Sequence, residues 1–139
     1  MDIRTITPNL SVSGQITPAE VAELKAMGFK AIVGNRPDGE EAGQPEWAEI
    51  ARAAQDAGLE TAYIPITPGS LSDEQALAFR EAVTGFDKPV LAFCRTGTRS
   101  AQLWAIAARD RLSSDEVIRM AATAGYDLSA MKARLEQEK

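Results

Sequence analysis

The sequence predicts an α/β fold with a central, mostly parallel sheet of four to five strands flanked by helices. Three observations lead there. Short apolar segments alternate with helical patterns along the chain, the order that strand-helix-strand units produce. The segment Lys88-Pro89-Val90-Leu91-Ala92-Phe93 is almost unbroken in apolar character, as a strand covered on both faces requires. A length of 139 residues suits one ordinary domain that buries a core without disulfides or structural metal, so one unit over residues 1–139 is expected.

Each element has a local reason. Thr17-Pro18-Ala19-Glu20 offers a capping threonine, proline at the first helical position and an acid in the first turn; the helical pattern then runs to a stop at Gly28. Lys30 to Asn35 reads as a buried strand leading into the polar loop RPDGEEAGQP. A second helix begins near Pro45, carries Trp47, Ile50, Ala51 and Ala54 on one stripe, and ends at Gly58. Ala62 to Ile66 is the next strand, and Pro65 places it at an edge or at a strand end. Ser72 caps a helix that runs through Leu77, Phe79 and Val83 to Gly85.

After the strand ending at Phe93, Cys94 stands at a strand carboxyl end. From Arg99 the pattern is helical again, with Leu103, Ile106 and Ala107 on one stripe. A further helix is capped by Ser113 or Ser114 and ends at Gly125, and another runs from about Leu128 into the tail RLEQEK. The aromatic residues and methionines of these helices read as core, since helical spacing accounts for them.

Composition removes several function classes. Histidine is absent, which excludes Cys/His zinc sites and His-dependent triads, and no cofactor motif stands out. A net charge of -5 argues against a nucleic-acid partner, whose phosphates demand clustered Lys and Arg. No apolar run reaches the roughly 18 residues of a membrane-spanning helix. The start MDIRTITPNLSVSG lacks the features of a secretory signal, so a cytoplasmic protein is expected. The single cysteine, Cys94, cannot form an internal disulfide and is available as a thiol.

That cysteine opens the loop Cys94-Arg95-Thr96-Gly97-Thr98-Arg99-Ser100, set between a buried strand and a helix. Ligands of open α/β sheets bind at such strand ends, and the unpaired amides and peptide dipoles of a helix start favour an anion. The same field, with two guanidiniums beside it, favours thiolate over thiol and makes Cys94 the candidate nucleophile. Gly97 permits a backbone conformation closed to other residues, and Thr96, Thr98 and Ser100 add hydroxyl donors for a bound anion. Arg99 can fork two N–H groups onto that anion, while Arg95 is read either as a steering charge outside the cradle or as a solvated surface arginine. A lone cysteine at a strand end is commonly inert packing; the two adjacent cations and the glycine are what argue otherwise.

This loop resembles the active-site loop of rhodanese-type sulfurtransferases. It is also similar to the cysteine-phosphatase loop, which has five residues between cysteine and arginine where this chain has four. The element order, the segment AYIPITPGSLSDEQALAF and the helices after the loop resemble the dual-specificity phosphatase fold over nearly the whole length. A bacterial family of phosphatase-like domains, some fused to a metallo-β-lactamase-type persulfide dioxygenase, combines both features. NRPDGEE, Asn35 to Glu41, and TPGSLSDEQ, Thr67 to Gln75, look like further segments of that family.

Two departures from the phosphatase pattern weigh on the chemistry. Phosphatases of this fold carry a histidine before the nucleophile, where this chain has Phe93, and an acidic residue that protonates the leaving oxygen, where this chain places Ser70, with Asp73 three residues later. Loss of a positioned general acid costs a factor of roughly 100 to 10,000 in rate. The resemblance therefore implies a sulfurtransferase taking sulfane sulfur from thiosulfate or a low-molecular-weight persulfide, through a Cys94 persulfide, to a thiol or to cyanide. Its partners would be a small anionic sulfur donor, a thiol acceptor and, by the family resemblance, a persulfide dioxygenase. The alternatives are a phosphatase working through phosphocysteine at Cys94, and a non-catalytic sulfur carrier or anion sensor. The loop NRPDGEE carries two readings: Pro37-Asp38-Gly39 is good turn chemistry in itself, and the loop also stands where Arg36 could bind a donor's carboxylate or sulfonate and Asp38 could offer an acid.

Overall fold

The computed structural model describes residues 1–137 and places five strands in one sheet in the order β1-β2-β5-β3-β4. These are β1 (Arg4–Thr7), β2 (Leu10–Ser13), β3 (Ala31–Gly34), β4 (Glu60–Tyr63) and β5 (Val90–Phe93). Only β1 runs antiparallel; β2, β5, β3 and β4 are parallel to one another. The sheet thus matches the predicted architecture, and β5, the most apolar run of the sequence, takes its centre.

Side-chain alternation along the central strands divides the core in two. Val12, Ala31, Val33, Val90 and Ala92 face one cluster, filled by Phe79, Leu103, Trp104, Ile106 and Val117. Ile32, Leu91 and Phe93 face the other, with Val21, Leu24, Ile50 and Leu59. The helices supplying the first cluster are α3 (Asp73–Gly85), α4 (Thr98–Ala108) and α5 (Ser114–Thr123); α1 (Val21–Ala26) and α2 (Trp47–Asp56) supply the second. Helices on both faces leave the strand carboxyl ends as the open rim.

Capping follows the sequence closely. Thr17, Ser72 and Ser113 each accept a hydrogen bond from the backbone three residues on, with Glu20, Gln75 and Glu116 closing reciprocal boxes. The first helix is divided, a 3₁₀ turn over Pro18–Glu20 running into α1. β4 is an edge strand that ends before Pro65, whose missing N–H would interrupt a ladder. The segment after Leu128 forms a 3₁₀ turn (Ser129–Met131) and the short helix α6 (Lys132–Leu135); Glu138 and Lys139 of the tail lie outside the described residues. Leu77 is not core: it is 54% exposed on the outer face of α3.

β1 and β2 have no counterpart among the predicted strands. Their sequences, RTIT and LSVS, are half hydroxyl residues and only four long, which hides their period. The hydroxyls are accommodated by pairing with each other and with backbone: Ser11 Oγ donates to Thr5 Oγ1 at 3.3 Å and Ser13 Oγ to the Gly14 carbonyl at 2.9 Å. Among the described residues, no helix is long and apolar enough to cross a membrane.

At the carboxyl end of β3, the Trp47 ring lies over Gly34, stacked on Tyr63 with ring centres 5.2 Å apart. A Cβ on residue 34 would stand 2.6 Å from that ring. Gly34→Ala is therefore expected to lower stability by about 1–3 kcal/mol through overpacking, read from urea unfolding together with the Trp47 fluorescence change as the stack is displaced.

Candidate active site

The parallel register sets the position of Cys94. As β5 ends, the Cys94 amide donates to the Ser13 carbonyl at 3.3 Å, and the Phe93 carbonyl accepts from the Asn35 amide at 2.8 Å. The chain is thus held from β2 on one side and from β3 on the other before it turns. Gly97, at φ +95, caps α4 in the left-handed conformation that glycine takes without strain. The turn brings the Gly97 amide within 3.0 Å of Cys94 Sγ, to which it donates. Cys94 is 1% exposed, with its sulfur turned onto the loop amide.

Arg99 lies in the first turn of α4 and does not point into open solvent. Its Nη1 donates to Glu40 Oε2 at 2.7 Å and its Nη2 to Glu40 Oε1 at 2.8 Å, a two-pronged ion pair, while Nη1 also donates to the Ile66 carbonyl at 2.8 Å. Arg36, only 2% exposed at its side chain, donates to Glu40 Oε1 at 2.9 Å, Glu41 Oε1 at 2.8 Å and Gln15 Oε1 at 3.1 Å. Arg95 stands at the rim, 65% exposed, with Nε 3.8 Å from Glu41. Arg36, Arg95 and Arg99, together with Glu40, Glu41 and Pro68, line a cleft of about 340 Å³.

These pairs fix the ionisation of the cleft. The hydrogen bonds from Arg99, and then Arg36, hold the Glu40 carboxyl below its ordinary value of 4.5 against the opposing effect of burial. Arg36 does the same for Glu41, assisted by the charge of Arg95. The Glu40 hydrogen bond holds Arg99 still more firmly protonated, and the charge of Cys94 adds to it.

The remaining predicted residues divide between rim and support. Thr96 and Thr98 are exposed, their hydroxyls 3.1 Å apart at the mouth of the loop. Ser100 corrects the sequence reading: fully buried, it donates to Asn35 Oδ1 at 2.8 Å, so its proton anchors α4 to the end of β3 instead of serving an anion. Asn35 Nδ2 passes the anchor on to the Ile64 carbonyl at 2.9 Å. Arg36 reaches the rim as expected, yet three of its N–H groups are already taken by protein oxygens.

The candidate acids are placed elsewhere or otherwise engaged. Asp38 Oδ1 accepts from the Trp47 amide at 2.8 Å and so starts α2, the turn reading of that loop. Asp73 pairs with Arg109 at 3.0 Å and Arg134 at 3.2 Å in a separate groove between α3 and α4, and those arginines hold its carboxyl low. Ser70 is exposed in a turn whose amide bonds the Thr67 carbonyl.

Three neighbours of the loop escaped the sequence reading. Glu40 and Glu41 left a trace, since a pair of carboxylates on the rim loop complements the two arginines of CRTGTRS. Tyr126, between the two last predicted helices, left none: it is partly buried, and its hydroxyl donates to the Thr96 carbonyl at 3.2 Å.

With this geometry, residues 2–110 match the family model described as "Beta-lactamase hydrolase-like protein, phosphatase-like domain". The chain is 33% identical over 135 residues to the beta-lactamase hydrolase-like protein of Agrobacterium fabrum, matching 96% of this chain and 31% of that protein. It thus spans about a third of that relative's length. Among solved structures it is similar to a Neisseria meningitidis protein described as a "putative phosphatase", 36% identical with a TM-score of 0.87, covering 98% of this chain and 97% of that one. Tk-PTP in its active form, at 23% identity, shares the fold with a TM-score of 0.74 over 96% of this chain and 92% of its own. The fold is therefore that of the cysteine phosphatases, and these comparisons favour the phosphatase alternative over sulfur transfer.

Two outcomes test the supports. Ser100→Ala leaves the buried Asn35 oxygen without its donor and is expected to cost about 1–3 kcal/mol, read by urea unfolding. Glu40 stabilises the fold above its unfolded value near 4.5, and this contribution is lost as pH falls through its lower folded value. The stability difference between wild type and Glu40→Gln should accordingly be constant well above pH 4.5 and shrink progressively below it.

Proposed function

This chain belongs to the family of beta-lactamase hydrolase-like proteins, phosphatase-like domain, and we propose that within this fold Cys94 is the nucleophile of a sulfurtransferase. The observation that carries this reading is the two-pronged Arg99–Glu40 pair. It supports sulfur transfer in two ways, through charge and through the supply of protons.

Three guanidiniums, Arg36, Arg95 and Arg99, meet two carboxylates, Glu40 and Glu41, in the cleft, leaving one positive charge. Cys94 acts on Arg99 from beside this cleft, and as the attacking thiolate it would balance that charge. A persulfide at Cys94 carries the same single negative charge, so the balance is unchanged by loading. A phosphocysteine would replace one negative charge by two, against carboxylates already on the arginine fork. Among the described residues the candidate acids do not offset this: Glu40 and Glu41 are held as anions, Asp38 accepts from the Trp47 amide, and Asp73 is in another groove. An alkoxide leaving group needs such a proton, whereas sulfite and thiolates leave as anions.

In the first step the Cys94 thiolate attacks the outer sulfur of thiosulfate or of a low-molecular-weight persulfide. A sulfur–sulfur bond forms to Cys94 as the donor's own breaks, and sulfite or a thiolate departs with the electron pair. The Gly97 amide, already on Sγ, holds the attacking sulfur, and Arg95 at the rim attracts the anionic donor. In the second step an acceptor thiolate, or cyanide, attacks the outer sulfur and releases the Cys94 thiolate. No net oxidation occurs and no cofactor is required. A persulfide dioxygenase as the consumer of the product fits this scheme.

The second reading, phosphomonoester hydrolysis through phosphocysteine at Cys94, is favoured by the family description and by the likeness to the Neisseria protein. One experiment separates the two. After incubation with thiosulfate, the intact mass should rise by one sulfur atom in the wild type and stay unchanged in Cys94→Ser, with thiocyanate released on adding cyanide. An unchanged wild-type mass combined with Cys94-dependent hydrolysis of an aryl phosphate would establish the phosphatase reading; a stable adduct that yields no thiocyanate would establish a carrier.

A further inference from the structure

The peptide between Thr96 and Gly97 is bonded at both ends. Its N–H donates to Cys94 Sγ at 3.0 Å, and its carbonyl accepts from the Tyr126 hydroxyl at 3.2 Å. The peptide is trans, so its two polar groups point in opposite directions. Tyr126, this single peptide and the sulfur therefore form one chain of hydrogen bonds, in which each bond polarises the next.

This arrangement answers a weakness of the loop. A glycine beside a peptide lets that peptide rotate readily, because glycine accepts φ of either sign. Rotation about the flanking bonds would turn the Thr96 carbonyl toward the sulfur and the N–H away, replacing a donor by a negative dipole. The Tyr126 hydroxyl bonds the carbonyl only in the orientation that sends the N–H to Sγ. The two residues also require each other sterically, since a Cβ on residue 97 would run into the Tyr126 hydroxyl oxygen. Tyr126 lies between α5 and α6, beyond the residues 2–110 that match the family model.

We propose that Tyr126 is a positioning residue for the Cys94 nucleophile, acting through the Thr96–Gly97 peptide to keep its N–H on the sulfur. The inference rests on the reading of Cys94 as a nucleophile and is the same for a sulfur or a phosphoryl substrate. Of the charged groups, Arg99 faces Cys94, and Arg4 and Asp2, paired with each other at 3.0 and 3.2 Å, lie near the phenol. Burial raises the phenol above its ordinary value, and the Cys94 charge adds to this, which keeps the hydroxyl a donor at neutral pH.

The test needs no substrate. Wild type and Tyr126→Phe are alkylated with iodoacetamide under native conditions across the neutral pH range, with circular dichroism and urea midpoints as controls for folding. Tyr126→Phe is expected to slow alkylation roughly two- to tenfold at neutral pH, the effect of losing one supporting hydrogen bond. Tyr126→Leu, read in the same way, guards against an effect of ring packing. A folded Tyr126→Phe that alkylates as wild type does overturns the role of Tyr126 alone. A wild-type Cys94 no more reactive than the thiol of an unfolded peptide overturns the nucleophile reading itself, and the inference with it.

Discussion

Two guanidiniums meeting on one carboxylate hold the rim together. Glu40 Oε1 accepts from both Arg36 and Arg99, and Oε2 accepts from Arg99 alone. Arg99 begins α4 and Arg36 follows β3, so Glu40 joins the helix that starts at the loop to the strand beside it. A side chain as enclosed as Arg36 needs such partners, because an unpaired charge removed from water carries a penalty of several kcal/mol. The loop 36–44 is shaped to deliver the carboxylate: the Gln44 side chain accepts from the Glu40 amide at 3.1 Å and donates to the Pro37 carbonyl at 2.9 Å. The electrostatics of the cleft and the placement of α4 thus share one origin.

What could be read from the sequence was whatever repeats locally. The central strand, the caps at Thr17, Ser72 and Ser113, and the strand-loop-helix context of Cys94 are signalled within a few residues of themselves, and the structure reproduces them. β1 and β2 were illegible because hydroxyl pairs stand where apolar alternation was sought. Ser100, Glu40 and Tyr126 were beyond reach for another reason: each is defined by a partner 30 or more positions away, Asn35, Arg99 and Thr96 respectively. A hydroxyl in an anion-binding motif looks the same whether it faces the anion or the scaffold; only tertiary packing distinguishes them.

The fold and the chemistry answer separate questions. A sheet with its central strand ending in a cysteine and a glycine-capped helix presents a nucleophile beside donors, and such a scaffold serves several electrophiles. The choice among them lies in what surrounds the sulfur: the carboxylates on the arginines and Phe93 before Cys94. The carboxylates come from the loop after β3, where insertions and exchanges leave the sheet intact, whereas Phe93 belongs to β5 itself.

Because β5 lies between β2 and β3, the surroundings of the one thiol are assembled from segments that are far apart in the chain. Ser13 holds it on one flank, Asn35 holds the strand on the other, Gly97 meets it in front, and Tyr126 braces that amide from nearly thirty residues downstream. During synthesis at roughly 5–20 residues per second these parts leave the ribosome seconds of chain growth apart, in no order that would complete the site early. An immature polypeptide thus carries an ordinary cysteine, and the sulfur gains its special surroundings only when the last of the partners docks.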